Sequence, residues 1–532
     1  MKNLITFADN VLKHGSDRYH EPPTALFADG IDITTGEHVR WSFKDSQRVI
    51  SNLANQQNLL RFLCALSDLT GDAKYRDAAA ATIEYHFDNL MDSSGLFNWG
   101  GHKFLDLETI EIMGPDNKSL YHELKNALPF YDLMYEVNPE ATTKYIRAFW
   151  NAHIYDWDDI QMGRHGKYGL EIGKLWKHEK LNLPVFREST GLSFMNAGND
   201  LIYAAFLCYD HSGNEDAYEW GKHMAYQFVR ARDPKTGLGA YQFTQPKKTT
   251  EPASDDDTKS FMGDRATRQF GPEFGEVALE GKLLLSRNTA SIYCLAPLVQ
   301  MHIWERLDKK PQELLDWTIA ALISFATHAY IPESNKARPM FTDGTDLTGH
   351  VLPRNGYYGK AGDVMEHYDV GLNFFLPYVR AYLLSGEKKL WETATAMAAA
   401  CDLGELGTTP GENVKLNMQT SCSHVQAVFA LAELYSRTGC KEYIELCGAV
   451  CANIEAKYFN NGYYNYGAEY KYAKFDSHYP MALLAYHAAV AGKYEFAPIY
   501  LNSAGFINGN YYLPDGTAVN IKDNEDLYAI KL

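Results

Sequence analysis

No CxxC pair occurs in this sequence, although eight cysteines are spread over its 532 residues. That argues against a thioredoxin-like redox motif or a zinc ribbon. No run of about 18 apolar residues is present, so no membrane span is expected. A cationic excess is also missing: 50 Lys and Arg stand against 67 Asp and Glu, a formal net charge of −17. A chain so acidic is poorly suited to grip nucleic acid through a broad basic face, and no such partner is expected. A polyanionic substrate would need locally gathered cations or a bound metal. Strand signals are few, mainly "GIDITTG" and the tail "NGNYYLPDGTAVNI". The start, "MKNLITFADNVLKHGSDRYHEPP", is broken by Asp9 and lacks the unbroken apolar core of a signal peptide. Most cysteines sit in apolar helical contexts such as "FLCALSDL" and "IELCGAVCANI" and read as buried free thiols. Cys447 and Cys451 lie one helical turn apart, but no His or Cys partner stands near them. With Met1 as the native start, these features together predict a cytoplasmic protein; a trimmed leader would make it periplasmic.

What is present is a recurring pattern of paired helices. A helical stretch ends in Ser/Thr-Gly or a similar turn, and a second amphipathic stretch begins. It occurs in "LCALSDLTGDAKYRDAAAATIEYHF", "AFLCYDHSGNEDAYEWGKHMAYQFV", "VRAYLLSGEKKLWETATAMAAA" and "ALAELYSRTGCKEYIELCGAVCANI". Looser versions are "FYDLMYEVNPEATTKYIRAFWNAHI" and "LVQMHIWERLDKKPQELLDWTIAALISF". Glycine after the last apolar turn is a C-cap signal. A seventh pair is expected from "YPMALLAYHAAVAG" and the N-terminal "LITFADNVLKHG". Hairpins that recur in this way must stack to bury their faces. The prediction is an all-α fold, an α/α toroid of about seven hairpins forming one catalytic domain over residues 1–532. The polar run Gln245–Ser260 reads as a surface excursion.

Three stretches at hairpin boundaries carry candidate chemistry. "FNWGGHKFLDL" places His102 after two glycines, and "YHELKNALPFYDLMYEV" places His122 and Glu123 at an expected helix start. "YDWDDIQMGRHGKYGLE" sets Arg164 directly before His165 between glycines. Asp116, Asn117 and Ser119 are candidate caps for the second stretch, which leaves Glu123 without a capping duty. Together His102, Glu123 and His165 make a two-His, one-carboxylate set. Such ligands suit Mn²⁺, Fe²⁺, Co²⁺, Ni²⁺ or Zn²⁺ better than Ca²⁺, which prefers oxygen.

The wording around these residues resembles polysaccharide lyase family two, the bacterial α/α-barrel pectate lyases. The resemblance covers "WGGHKF", "HELKNALPFYDLMYEV", "FWNAHIYDWDDIQMGRHGKYG", "RESTGLSFMNAGNDLIYAA" and "RQFGPEFGEVALEG". It implies that His102, Glu123 and His165 ligate a transition ion, typically Mn²⁺, with Co²⁺, Ni²⁺ or Fe²⁺ as alternatives. It implies Arg164 as catalytic base and Arg187 as a substrate-binding residue. The implied reaction is β-elimination on α-1,4-linked polygalacturonate or oligogalacturonate. Unsaturated digalacturonate is the expected exolytic product. From a cytoplasmic enzyme, short imported oligogalacturonates are the expected substrates.

The chemistry stands beside the resemblance. The C5 proton is weakly acidic because the adjacent carboxylate already bears a charge. A divalent ion on that carboxylate withdraws charge and stabilises the enolate-like intermediate. Arginine is a difficult base, titrating above about 12 when free. Neutral Arg164 would need depression by desolvation and a neighbouring ion; Tyr168 or a metal-bound hydroxide are the alternative bases. Lys174, Lys177, His178, Lys180, Arg187, Arg265 and Arg268 are candidates for a cationic cleft. Of these, Arg187 and Arg268 best suit carboxylates, which arginine forks grip bidentately. A glycoside hydrolase is the main rival, with Asp363, Glu366 and Asp369 as candidate acids. An iron-dependent oxygenase and a non-catalytic sugar-binding protein are lesser rivals. Oligomeric state is not encoded legibly.

Overall fold

The computed structural model describes residues 1–43, 46–114, 121–158, 160–246, 265–270, 272–512 and 518–532. Among them, fourteen helices follow the expected pairing. Helix α1 spans Lys2–Asn10. The pairs that follow are α2 (Gln57–Thr70) with α3 (Lys74–Asn89), and α4 (Tyr131–Val137) running through Asn138 into α5 (Pro139–His153). Next come α6 (Met195–Ser212) with α7 (Glu215–Arg230), and α8 (Ala296–Arg306) with α9 (Gln312–His328). Then come α10 (Phe375–Ser385) with α11 (Lys388–Ala400), and α12 (Val425–Thr438) with α13 (Lys441–Tyr458). The last, α14 (His478–Val490), packs on α1, the seventh expected pair.

The turn chemistry explains the regularity. Gly71, Gly213, Gly386 and Gly439 end their helices at φ of +77°, +69°, +75° and +71°. Each amide caps a carbonyl of the preceding turn, from Ser67 to Tyr435. A side chain at these positions would be strained, so glycine fixes where one helix stops and the next begins.

The described residues gather into two compact units. The first contains Met1–Ala152, His165–Gly173 and Leu416–Leu532; the second contains His153–Arg164 and Lys174–Lys415. In the first unit α14 packs on α1, α2, α12 and α13 and so ties the N-terminal helix to the later hairpins. The Met1 amine hydrogen bonds to His487 there. Phe7 anchors the contact, 5.6 Å from the Phe62 ring and 5.4 Å from Tyr464. In the second unit α6 packs on α7 and α8, while α9 packs on α10 and α11.

Strands are short, as expected, but more numerous. Gly30–Asp32 pairs antiparallel with Tyr472–Lys474, and Asn508–Tyr512 pairs with Ala518–Lys522, where strand signals were read. A four-stranded sheet of Arg40–Phe43, Ser46–Ser51, Phe104–Asp106 and Glu111–Met113 had no clear signal. Trp41, Ile50 and Phe104 on this sheet bury against Ile507, Leu527 and Tyr528 of the chain end. That packing fixes the segment immediately after His102. The expected excursion at Gln245–Ser260 lies mostly outside the described residues. No helix among the described residues is long and apolar enough to cross a membrane.

Candidate metal centre

The first unit brings His102, Glu123 and His165 together. His102 Nε2 lies 3.1 Å from Glu123 Oε2, and His165 Nε2 lies 3.3 Å from Glu123 Oε1. The two Nε2 atoms are 3.2 Å apart. Three ligands on one divalent ion, with bonds of about 2.0–2.2 Å, stand roughly 3–3.5 Å from one another. The donor set and its spacing therefore fit such an ion.

Local backbone makes this meeting possible. Strand Tyr121–His122 pairs antiparallel with Gly166–Lys167, with His122 opposite Gly166. Continuing that register sets Glu123 opposite His165. Gly100 bridges Glu123 from the other side, and the Gly101 amide donates to the Glu123 carbonyl at 3.0 Å. A Cβ on Gly100 would sit 2.2 Å from that carbonyl oxygen, and one on Gly101 would sit 2.2 Å from Glu123 Oε2. The two glycines before His102 are thus demanded by close approach to Glu123. Asn52 clamps Gly100 from both sides, accepting from its amide at 3.1 Å and donating to its carbonyl at 2.9 Å. Tyr121 stacks on the His165 ring at 5.5 Å.

Glu123 is not at a helix start, contrary to expectation. Asn126 and Leu128 take positive φ and Pro129 follows, so helix α4 begins only at Tyr131. The proposed caps Asp116, Asn117 and Ser119 lie outside the described residues. In extended chain, neighbours face opposite ways. His122 accordingly points into the core, where its Nε2 accepts from Trp99 Nε1 at 2.9 Å.

Lys125 is the residue that sequence reading missed. Two positions beyond Glu123, its Nζ lies 3.2 Å from Glu123 Oε2 and donates to Asn508 Oδ1 at 2.8 Å. Its place at i+2 in an extended segment was the available signal. Burial works to raise the Glu123 pKa, but Lys125, His102 and His165 outweigh it and hold the carboxyl well below the usual range. A buried carboxylate kept ionised by adjacent cationic and imidazole groups is a seat prepared for positive charge.

Tyr168 is an unsuitable base. Its hydroxyl donates to the Phe97 carbonyl at 3.0 Å, and Lys103 Nζ lies 3.6 Å from its ring centre. Burial, reinforced by the charge of Asp92, raises its pKa well above the ordinary value.

The second unit carries the arginines. Arg164 follows a clamped turn: His153 Nδ1 bonds the Gly163 carbonyl at 2.8 Å, and the Gly163 amide donates to the His153 carbonyl at 3.0 Å. A Cβ on Gly163 would meet Tyr155 at 2.5 Å. The Arg164 guanidinium carbon lies 5.9 Å from the Phe194 ring centre. Arg187 opens the strand Arg187–Ser189 and donates to Pro184 at 3.1 Å, and Arg268 lies on the short helix Arg265–Phe270. The expected lysine contribution to a cleft is weaker: Lys177 pairs with Asp216, and Lys180 pairs with Glu219 at 2.6 Å. His178 stacks on Trp157. The rival acids Asp363, Glu366 and Asp369 are all exposed, and their segment is loop and a two-residue strand rather than a helix.

A family model described as periplasmic pectate lyase matches residues 24–510. A pectate disaccharide-lyase of Dickeya dadantii (strain 3937) is 38% identical over 521 residues, 96% of this chain and 93% of that protein. Among solved structures, an alpha-1,6-mannanase of Salegentibacter sp. HEL1_6 is similar over 93% of this chain and 99% of its own, at 9% identity and a TM-score of 0.41. Cellobiose 2-epimerase from Bacillus thermoamylovorans B4167 matches 91% of this chain and 95% of its own, at 9% identity and a TM-score of 0.42. Likenesses that weak carry no argument about chemistry.

The matched family corrects the expected compartment. It is described as periplasmic, which overturns the cytoplasmic expectation and, with it, the restriction to imported oligomers. The cysteine argument failed for a physical reason. Cys64, Cys208, Cys294, Cys447 and Cys451 are buried, and burial pushes the Cys64 thiol up to about 12. Such thiols behave as small hydrophobes and report nothing about redox surroundings.

Proposed function

We propose, for a chain that belongs to the periplasmic pectate lyase family, a division of labour in which His102, Glu123 and His165 form the metal centre and Arg164 the base. The protein is a pectate lyase that acts exolytically on α-1,4-linked galacturonate and releases unsaturated disaccharide. The carrying observation for the site is the triad itself: the two imidazole Nε2 atoms are 3.2 Å apart, and each lies 3.1 to 3.3 Å from one oxygen of Glu123. These residues would hold a divalent transition ion, Mn²⁺ in our reading, with Co²⁺, Ni²⁺ or Fe²⁺ as substitutes. On a uronate carboxylate, such an ion supplies the charge withdrawal that acidifies the C5 proton.

The chain's own residues do the rest. Arg164 is one peptide bond from His165 and accepts the C5 proton. The freed electron pair forms the C4–C5 double bond. The C4–O4 bond breaks, and O4 leaves with its pair and takes a proton from solvent. Arg187 and Arg268 hold substrate carboxylates through paired N–H donors. The Arg164–His165 peptide bond is one of the four junctions between the units, and we take residues 1–532 to act as one catalytic domain.

Product mass tests this reading. Polygalacturonate digested by the enzyme should yield a disaccharide one water lighter than digalacturonate. A disaccharide of full mass would mean hydrolysis and turn attention to Asp363, Glu366 and Asp369.

A further inference from the structure

Within the second unit, Tyr357 carries two guanidinium groups on its ring. Arg265 Cζ lies 3.7 Å from the ring centre and Arg287 Cζ lies 4.5 Å from it, both within cation–π range. Arg265 is committed elsewhere as well. Its Nε is 3.1 Å from both oxygens of Glu280, and its Nη2 bonds Oε1. Arg287 differs: it is exposed, and among the described residues no carboxylate lies within ion-pair distance of it. Arg164, Glu280 and Arg287 all act electrostatically on the buried hydroxyl of Tyr241. The two guanidiniums on the ring and the one carboxylate leave a local excess of positive charge. Like charges gathered on one ring repel, and an arriving anion relieves that repulsion.

The platform is also pre-built. Gln269, 1% exposed, accepts from the Tyr358 amide at 2.9 Å. Its amide nitrogen donates to the carbonyls of Arg354 at 3.2 Å and Gly359 at 3.0 Å. A Cβ on Gly356 would sit 2.5 Å from the Gln269 side chain. A buried side chain thus holds the turn that presents Tyr357.

We propose that Arg287, supported on Tyr357, is a docking point for a carboxylate of the galacturonate chain, a subsite that rests on the lyase reading. The guanidinium fork matches a planar carboxylate, and the exposed edge of Arg287 is where a chain extending from the reacting residue can be met.

The test compares Arg287→Gln and Arg287→Lys with the wild type on trigalacturonate. Initial rates come from the ultraviolet absorbance of the unsaturated product. Arg287→Gln should raise KM about tenfold, with kcat within about twofold, and Arg287→Lys should fall between. Added salt should raise the KM of Arg287→Gln less steeply than that of the wild type. Calorimetric titration gives an independent reading: affinity for trigalacturonate should drop in the variant, while neutral α-1,4-galactotriose should show no such loss. Unchanged KM and unchanged trigalacturonate affinity would overturn the subsite. A wild type that makes no unsaturated product would overturn the lyase reading, and the calorimetric comparison would still decide Arg287.

Discussion

Glu123 and Asp29 are two fully buried carboxylates of the same unit, linked through Asn52 and Gly100, yet their chemistry diverges. Asp29 accepts from the Asn52 amide at 2.8 Å and from the side chains of Gln56 and Asn55 at 2.9 and 2.8 Å. Burial dominates there, and its pKa is pushed up to about 7 despite those bonds and the charge of Lys474. Glu123 has Lys125 and two imidazoles instead, and its pKa goes down. Neutral donors satisfy a carboxylate without offsetting its desolvation, whereas cationic neighbours do. Asp29 is built to brace the Gly100 turn; Glu123 is built to stay charged.

Ligand loss should break that contrast most severely. His102→Ala, Glu123→Ala and His165→Ala should each lower kcat/KM by about 10³-fold or more and weaken Mn²⁺ binding, as read by calorimetry. Arg164→Ala or Arg164→Lys should also abolish turnover, with trigalacturonate affinity nearly kept, because a base acts in the transition state. Retained rates in all these variants would refute the site.

Asp29→Asn sharpens the comparison through pH. The folded-state value of Asp29, about 7, lies above its ordinary 3.8, so the native state binds more protons in that window. Stability from this group is present at low pH and is lost as pH rises from about 4 to about 7, by up to roughly 4 kcal/mol. Denaturant melts of Asp29→Asn should lack this slope, so the variant gains on the wild type towards pH 8. Parallel curves would mean that Asp29 is ionised in the fold. The smallest effect is expected at Lys125. Lys125→Met should destabilise chelator-treated protein by about 3 kcal/mol, since Glu123 loses its cation, and by less once Mn²⁺ is added. Equal losses in both states would show that the two cations do not share one role.

The fold was legible where local chemistry decides it. Gly71, Gly213, Gly386 and Gly439 mark hairpin turns in sequence, and each adopts the left-handed backbone that requires glycine. The candidate triad was proposed through the resemblance, because its three residues are far apart in the chain and are brought together by strand pairing. The helical reading of "HELKNALPF" ignored Pro129, and the backbone at Asn126 and Leu128 shows the cost of that omission. Lys125 escaped notice because a lysine two residues from a glutamate usually reads as a solvated ion pair. Arg287 escaped because its partner Tyr357 is remote in sequence. Compartment was misread because a buried thiol is silent about redox.

One measurement bears most directly on the metal-assisted elimination. Enzyme stripped with chelator is mixed with trigalacturonate, and ultraviolet absorbance is followed as Mn²⁺ or Ca²⁺ is returned. The account predicts no signal before addition, a rise restored by Mn²⁺ and little or none with Ca²⁺, since two imidazoles suit the transition ion. A full rate in stripped enzyme, or equal rescue by Ca²⁺, would contradict it.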